Sequence, residues 1–131
     1  MIHVGERALS LNDFSDILFK EKEVVLDKAA VEKVGVNFQF LQSFSSNKLI
    51  YGINTGFGPM AQYKVSEENL LQLQYNLIRS HSSGGGNLMS PILVKAVMVA
   101  RLNSLMQAYS GVHPEVEIGR ASCRERVYSS V

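Results

Sequence analysis

The chain has 131 residues, 46% of them hydrophobic, and its 13 basic and 12 acidic side chains give a formal net charge of +1. This length and balance are typical of one globular domain, and nothing in the composition points to nucleic acid as a partner. No apolar run approaches the roughly 18 residues of a membrane span, and the amino terminus lacks the basic and apolar regions of a signal peptide. We therefore expect a cytoplasmic protein that binds neither nucleic acid nor membrane.

The amino-terminal residues predict a small mixed segment. Residues 2–4 and 24–26 are short and β-prone. Between them, Ser10 is followed three residues later by Asp13, which resembles a capping box that opens a helix over residues 11–20. Two short strands and one helix are thus predicted near the start of the chain.

A second helix is predicted after Asp27, because an aspartate side chain can accept a hydrogen bond from a free backbone amide at the N-cap. Apolar residues recur at spacings of three and four along one face, at Val31, Val34, Phe38 and Leu41. Gly35 weakens this helix by about 1 kcal/mol relative to alanine. The polar segment 45–47 ends it.

A glycine-rich loop follows, with the sequence Tyr-Gly-Ile-Asn-Thr-Gly-Phe-Gly at residues 51–58. Its three glycines indicate a backbone that turns tightly, approaches a ligand closely or moves. Tyr51 is then expected to be presented at the surface and not buried, although a packed aromatic ring beside a turn is the plainer interpretation of the loop alone. We expect Asn54 and Thr55 to hold the loop through local hydrogen bonds from side chain to backbone.

A third helix is predicted after Ser66, whose hydroxyl can accept an amide hydrogen bond, with Glu67 and Glu68 at the positive end of the helix dipole. Its apolar face carries Leu70, Leu73 and Leu77. His81 follows on or beside that face, at the end of the helix. A lone histidine beside an apolar face is most often a packed core residue, so the spacing alone leaves the role of His81 open.

A second glycine segment, residues 83–87, precedes a helix that begins at Pro91, since proline suits the first helical turn. Residues 84–86 do not predict a phosphate-binding loop, because no lysine followed by serine or threonine comes after them. Residues 92–109 are apolar on most sides, which fits a helix inside a bundle, and Gly111 is a C-cap signal. So much apolar helix surface indicates a truncated chain or an obligate oligomer.

The last residues have a different character. Small and charged side chains replace the apolar pattern, and residues 118–127 resemble the translation of a sequencing-library adapter. We predict a native segment at 1–117 and a non-native tail at 118–131, with a native polar tail as the alternative. The only cysteine, Cys123, cannot form an internal disulfide, and no cysteine and histidine cluster has zinc-site spacing, so no metal is expected.

Four segments together resemble the aromatic amino acid ammonia-lyases, the family of the histidine, phenylalanine and tyrosine lyases. They are residues 51–58, 71–84, 101–103 and 110–114. The resemblance covers nearly all of residues 1–117 in the family's order and spacing. It implies a mainly α fold, the amino-terminal part of the ammonia-lyase helical fold with short β segments near the start, and a homotetramer in the full-length protein.

The activity implied by this resemblance is elimination of ammonia from an aromatic amino acid to give the trans-unsaturated acid. Tyr51 matches the family's catalytic base, and a phenol serves as base only when nearby positive charge or hydrogen-bond donors lower its pKa from about 10. His81 and Ser80 match the position that selects the substrate side chain, and this pair resembles enzymes that act on histidine or tyrosine. Gly58 would line the site through its backbone.

The resemblance also implies an electrophile, methylidene-imidazolone (MIO), formed by cyclisation of an Ala-Ser-Gly segment. This chain lacks that segment, since Ala121 and Ser122 precede Cys123 within the predicted tail. We therefore expect an inactive fragment of a histidine or tyrosine ammonia-lyase. A non-catalytic helical binding or assembly module derived from the family, and an aminomutase of the same fold, are the alternatives.

Overall fold

The computed structural model describes residues 1–116, so the predicted tail and Cys123 lie outside the described residues. Its elements, in chain order, are β1 (Ile2–Val4), α1 (Leu11–Phe19), β2 (Val24–Leu26), α2 (Lys28–Ser45), a 3-10 turn (Gly58–Met60), α3 (Glu67–His81) and α4 (Pro91–Leu105). The predicted mainly helical fold with short strands near the start is confirmed. None of the helices among these residues is long and apolar enough to cross a membrane. The same residues contain no group of three or more His, Cys, Asp or Glu side chains that could hold a metal ion.

The described residues pack as two compact units. Residues 1–41 and 88–116 belong to the first unit, and residues 42–87 form the second. The first unit is therefore made of two chain segments, and the second is one continuous segment. The second unit contains all four residues predicted to form the site: Tyr51, Gly58, Ser80 and His81.

The first unit is organised around the parallel pair of β1 and β2. Ile2 pairs with Val24, and its amide donates to the carbonyl of Glu23 at 2.7 Å. A parallel pair needs a crossover connection, which α1 provides. The buried apolar residues of this unit are Ile2, Val4, Ile17, Ala30, Val34, Val99, Leu102, Leu105 and Met106.

Both N-caps predicted in the first unit are confirmed. The Ser10 hydroxyl accepts from the Asp13 amide at 3.2 Å, and the Asp13 carboxylate accepts from the Ser10 amide at 2.8 Å. Asp27 accepts from the amide of Ala30 at 2.8 Å. Arg7 donates to the Asp13 carboxylate at 2.7 Å, and this hydrogen bond, together with those from Ser10, holds the pKa of Asp13 well below its usual range.

The last helix ends earlier than its apolar pattern predicts. The prediction of a helix over residues 92–109 was wrong at its end, because α4 is Pro91–Leu105. A turn follows, in which the amide of Ala108 donates to the carbonyl of Leu105 at 3.0 Å and Ala108 has a φ of +61°. A left-handed conformation that favours glycine is thus adopted by an alanine, ahead of the predicted glycine cap at Gly111.

Within the described part of the chain, α4 is buried on one face only. The predicted helix inside a bundle would be buried on most sides. Lys95, Val99, Leu102 and Leu105 lie on this face. Leu93 and Val97 are exposed. Next to this face, the Oδ1 of half-buried Asn103 accepts from the backbone amide of Leu9 at 3.1 Å, so this residue of segment 101–103 joins α4 to the amino-terminal segment.

The second unit contains α3, which begins where the sequence predicts but with a different hydrogen bond. Ser66 is the N-cap residue, yet its hydroxyl accepts from the side-chain amide of Asn69 at 3.0 Å instead of from a backbone amide. The predicted capping hydrogen bond at Ser66 is therefore wrong. The predicted apolar face is half-buried, at Leu70, Leu73 and Leu77.

Candidate active site

Asn54 organises the glycine-rich loop from its centre. Its side chain is buried, with Oδ1 accepting from the amide of Ile50 at 2.8 Å. Its Nδ2 donates to the carbonyls of Ser45 and Lys48 at 2.9 and 2.7 Å. Because unpaired buried groups cost free energy, one side chain that bonds three backbone groups fixes the turn after α2. The predicted structural role of Asn54 is confirmed.

Backbone pairing closes the far side of the loop. Thr55 and Lys64 form an antiparallel bridge. On either side of it, backbone hydrogen bonds of 3.2 and 3.0 Å join residues 54–56 to residues 63–65. The buried Thr55 hydroxyl donates to the carbonyl of Gly56 at 3.0 Å, which confirms its predicted local role.

Tyr51 lies on the surface of this anchored loop. Its side chain is 63% exposed, and its ring meets that of Phe57 with the centroids 5.9 Å apart. The chain turns directly after it, since Gly52 has a φ of +76° and the amide of Ile53 donates to the carbonyl of Ile50 at 3.1 Å. The predicted exposure of Tyr51 is confirmed. Among residues 1–116, no cation or hydrogen-bond donor contacts its hydroxyl group.

Two glycines of the loop meet different requirements. A Cβ atom at Gly56 would lie 2.6 Å from the Cβ of Met60 and 2.8 Å from its carbonyl oxygen, closer than packed atoms come. At Gly58 the φ is +54° and a Cβ would meet no atom within 4 Å. Gly56 is thus needed for close packing and Gly58 for its backbone conformation. Gly56 was not among the predicted site residues, and its only signal in the sequence is its place between two other glycines, Gly52 and Gly58.

Ser80 and His81 form a small hydrogen-bonded group at the carboxyl end of α3. The Ser80 hydroxyl donates to the carbonyl of Leu77 at 2.9 Å. The Nδ1 atom of His81 lies 2.9 Å from the same carbonyl and 3.0 Å from the Ser80 Oγ. Both side chains are exposed, so His81 ends the helix at the surface of the unit and is not a packed core residue.

The structure brings two of the four predicted site residues into contact, Ser80 with His81. In the part of the chain that the structure describes, neither makes a hydrogen bond or ring contact with Tyr51 or Gly58. The second unit therefore carries the predicted base and the predicted selectivity pair as two separate groups.

A groove with a volume of about 830 Å³ lies in the first unit. Its lining residues include Glu32, Lys33, Phe40, Met106 and Tyr109. None of the four predicted site residues lines it. We place the candidate site in the second unit, because Tyr51 and His81, the predicted base and the predicted selectivity residue, lie there.

The model of the family described as aromatic amino acid lyase matches residues 9–120. The chain belongs to this family. The matched range includes all four segments on which the resemblance rests, so the predicted family membership is confirmed. It also includes residues 118–120 of the predicted tail, and residues 121–131 lie beyond it.

Relatives in the aromatic amino acid lyase family include both an aminomutase and lyases. Tyrosine 2,3-aminomutase of Chondromyces crocatus is 41% identical over 108 residues, which are 82% of this chain and 20% of that protein. A probable histidine ammonia-lyase of Thermoplasma volcanium is 39% identical over 117 residues, 88% of this chain and 24% of that protein. Histidine ammonia-lyase of Streptococcus pyogenes serotype M49 is 36% identical over 113 residues, 86% of this chain and 22% of that protein. The chain thus spans about a fifth to a quarter of the length of these relatives.

Several solved structures have a similar fold. Tyrosine aminomutase from Streptomyces globisporus matches with a TM-score of 0.84 at 28% identity, over 94% of this chain and 24% of that chain. Ergothionase from Treponema denticola matches with a TM-score of 0.86 at 23% identity, over 94% of this chain and 25% of that chain. At this identity the match shows a similar fold only. The predicted ammonia-lyase helical fold is confirmed.

Proposed function

We propose that this chain is the amino-terminal part of a longer enzyme that eliminates ammonia from histidine or tyrosine and forms the trans-unsaturated acid. The family match over residues 9–120 is the observation that carries the proposal. Relatives named as histidine ammonia-lyases support it. Since the chain spans 20% of one relative and 24% of another, the reaction belongs to the whole protein, and we propose that the chain alone is inactive.

Tyr51 is proposed as the base that removes the β-proton of the substrate. Its exposed phenol stands on a loop that Asn54 fixes from inside, so the hydroxyl group can face a ligand while the base of the loop stays paired. No cation contacts this hydroxyl within residues 1–116. The positive charge or donors that a phenol base requires would therefore come from the substrate or from the rest of the protein.

His81 is proposed to recognise the ring of the substrate. An imidazole can form a hydrogen bond with another imidazole or with a phenol, and a site that makes such a bond disfavours the analogue that lacks it. This chemistry favours histidine and tyrosine over phenylalanine. We propose that Gly58 lines the same site through its backbone, where open space surrounds the position of its absent Cβ.

The electrophile expected in this family is not supplied by this chain. MIO forms from Ala-Ser-Gly, and the 131 residues contain no such tripeptide. The nearest sequence, residues 121–123, has a cysteine in place of the glycine, whose lack of a side chain lets its amide nitrogen approach the preceding carbonyl. The residues present do not fit the group. We therefore limit the chemistry of this chain to proton removal and ring recognition.

An aminomutase reaction is the second candidate. It is favoured by the 41% identity with tyrosine 2,3-aminomutase and by the TM-score of 0.84 with a tyrosine aminomutase. The two candidates differ in the fate of the amino group, which a lyase releases as ammonia and an aminomutase returns to the product.

The test is to sequence the gene beyond codon 117, express the full-length protein and incubate it with histidine and with tyrosine. We expect an open reading frame that continues to an Ala-Ser-Gly segment, and the ultraviolet absorbance of urocanate or coumarate with one ammonia per product. A β-amino acid formed without ammonia would identify the aminomutase. A genuine stop near residue 117 would favour the non-catalytic module and overturn the proposal.

A pair of tyrosine variants tests the base. Tyr51→Phe keeps an aromatic ring on the loop and is expected to abolish turnover in the full-length enzyme. Tyr63→Phe is the matched control, because Tyr63 lies in the same unit and is 55% exposed, compared with 63% for Tyr51. Unchanged turnover in Tyr51→Phe would rule out Tyr51 as the base.

We also propose that the full-length protein is a cytoplasmic homotetramer. Three large apolar side chains share one face of α3 and are exposed within the described residues, which supports further burial by another surface: Leu71, Tyr75 and Ile78. Sedimentation velocity of the full-length protein measures its assembly, and a monomer at micromolar concentration would contradict the tetramer.

A further inference from the structure

The carboxyl end of α3 contains an arrangement that determines which ring nitrogen of His81 carries the proton. The carbonyl oxygen of Leu77 can only accept hydrogen bonds, and the His81 Nδ1 lies 2.9 Å from it. A nitrogen that bonds to an acceptor must be the donor. In the neutral ring, Nδ1 is therefore the N–H group and Nε2 has the free lone pair.

Ser80 supports the same protonation. Its oxygen lies 2.9 Å from the Leu77 carbonyl, which can only accept, so with the hydroxyl proton donated there its lone pairs can accept from the His81 Nδ1 at 3.0 Å. The Nδ1 proton is thus shared between a carbonyl and a hydroxyl oxygen. Among residues 1–116, Nε2 has no hydrogen-bond partner, and the ring is exposed.

His113 has the opposite protonation in the same chain. Its Nδ1 lies 3.3 Å from the backbone amide of Glu115, closer than the 3.8 Å to the Glu115 carboxylate, so we expect Nδ1 to accept and the proton of the neutral ring to lie on Nε2. In both cases the tautomer follows from the hydrogen-bond partners. The two histidines are therefore an internal comparison for any measurement of ring protonation.

We propose that Ser80 is a positioning residue that holds neutral His81 in the Nδ1–H tautomer, so that Nε2 offers its lone pair to a substrate ring that carries a hydrogen-bond donor. The substrate in this statement rests on the proposed function, whereas the tautomer does not. An imidazole N–H or a phenol O–H can donate to Nε2, and an unsubstituted phenyl ring cannot. With the proton on Nε2, the same histidine would select for an acceptor.

Nuclear magnetic resonance of the 131-residue chain, labelled with 15N in its histidine rings and held at a pH where imidazoles are neutral, reads the tautomer. We expect the proton of His81 on Nδ1 and that of His113 on Nε2. In Ser80→Ala, the ratio of Nδ1–H to Nε2–H at His81 is expected to fall roughly five-fold, the effect of one ordinary hydrogen bond. Ser80 is exposed and alanine is a better helix former, so this variant keeps α3.

Ser82→Ala is the matched control. Ser82 lies at the same helix end, but its hydroxyl donates to the carbonyl of Ile78 at 2.5 Å. We expect Ser82→Ala to leave the His81 ratio unchanged, and Ser80→Thr, which restores a hydroxyl group, to recover it. The proposal is wrong if the His81 proton lies on Nε2 in the unsubstituted chain, or if Ser80→Ala and Ser82→Ala give the same ratio.

The substrate part is tested in the full-length enzyme. Ser80→Ala is expected to lower the preference for tyrosine or histidine over phenylalanine roughly five-fold, mainly through KM, because the ring contact is made in both the ground and transition states. An altered tautomer with an unchanged preference would overturn the substrate part. No turnover by the unsubstituted full-length enzyme would contradict the proposed function and leave the tautomer result intact.

Discussion

Tyr51 and Phe57 meet edge-on near opposite ends of one loop, with ring centroids 5.9 Å apart and ring planes inclined by 84°. The tyrosine ring is otherwise largely exposed. The position of its phenol group therefore depends on the conformation of residues 51–58 more than on a packed core.

The contribution of this ring pair can be measured with a double-mutant cycle. Urea unfolding of Tyr51→Leu, Phe57→Leu and the double variant is expected to give a coupling energy of about 0.5–1.5 kcal/mol, the usual strength of an edge-on aromatic pair. The same cycle with Tyr63→Leu in place of Tyr51→Leu is the control. Equal coupling energies in the two cycles would contradict a specific pair.

Asn54→Ala is expected to lower the free energy of unfolding by about 1–3 kcal/mol, because the amide and carbonyl groups that Asn54 binds lose their partner. Hydrogen exchange should accelerate at the amides of residues 50–56 more than in α3. Asn69→Ala is the control, since Asn69 is exposed and bonds to the Ser66 hydroxyl. If Asn54→Ala and Asn69→Ala lose the same stability, Asn54 does not hold the loop more than an exposed asparagine does.

Two glycine variants separate packing from backbone conformation. Gly56→Ala places a methyl group against Met60 and is expected to cost about 1–3 kcal/mol of unfolding free energy through overpacking. Gly58→Ala meets open space but retains a positive φ, for an expected cost of about 1–2 kcal/mol. Asparagine tolerates the left-handed conformation, so thermal unfolding should show that Gly58→Asn is milder than Gly58→Ala. Gly56→Asn should show no such relief.

Asp13 makes the stability of the first unit depend on pH. Hydrogen bonds from Arg7 and Ser10 lower its pKa in the folded state, so the unfolded chain binds this proton more readily. The stabilisation is therefore fully present above the ordinary aspartate pKa of about 3.9 and is lost as the pH falls toward the folded value. Asp13→Asn should be clearly less stable than the unsubstituted chain at neutral pH, and the gap should narrow below about pH 4. If urea unfolding gives the same difference in stability between the two chains at neutral pH and below pH 4, Asp13 does not cause the pH dependence.

His81→Phe in the full-length enzyme is expected to shift preference toward phenylalanine, because the ring loses its hydrogen-bonding nitrogen. The ratio of kcat/KM for phenylalanine to that for histidine or tyrosine should rise on the order of ten-fold or more. His113→Phe is the control, since His113 lies in the first unit and packs edge-on against Phe38 at 4.8 Å. An unchanged ratio in His81→Phe would remove its selectivity role.

Local sequence signals predicted where helices begin better than where they end. The capping box of Ser10 and Asp13 and the cap at Asp27 each involve residues three apart, so their types reveal the geometry. The end of α4 is different, because Ala108 adopts a positive φ that its residue type does not indicate. At Ser66 the position was right, but competition from the Asn69 side chain decided the hydrogen bond.

For the candidate site, residue types predicted which side chains are exposed but not which groups they bind through hydrogen bonds. Tyr51 in a glycine-rich loop was expected to be exposed, and it is. The carbonyl partners of Asn54, at Ser45 and Lys48, follow from the path of the backbone after α2. The proposed protonation of His81 depends on Ser80 and on the Leu77 carbonyl one helical turn earlier, and because every residue has a carbonyl, the second partner leaves no residue-type signal in the sequence.

The first unit can be completed only after the second unit has been synthesised. Residues 88–116 leave the ribosome after residues 42–87, and they supply part of the apolar interior of the first unit, including Val99, Leu102, Leu105 and Met106. At translation rates of about 5–20 residues per second, the nascent residues 1–41 wait several seconds for these partners. During that interval β1 and α2 lack the apolar partners that residues 88–116 supply, whereas residues 42–87 form one continuous segment and need no later residues to complete their own unit.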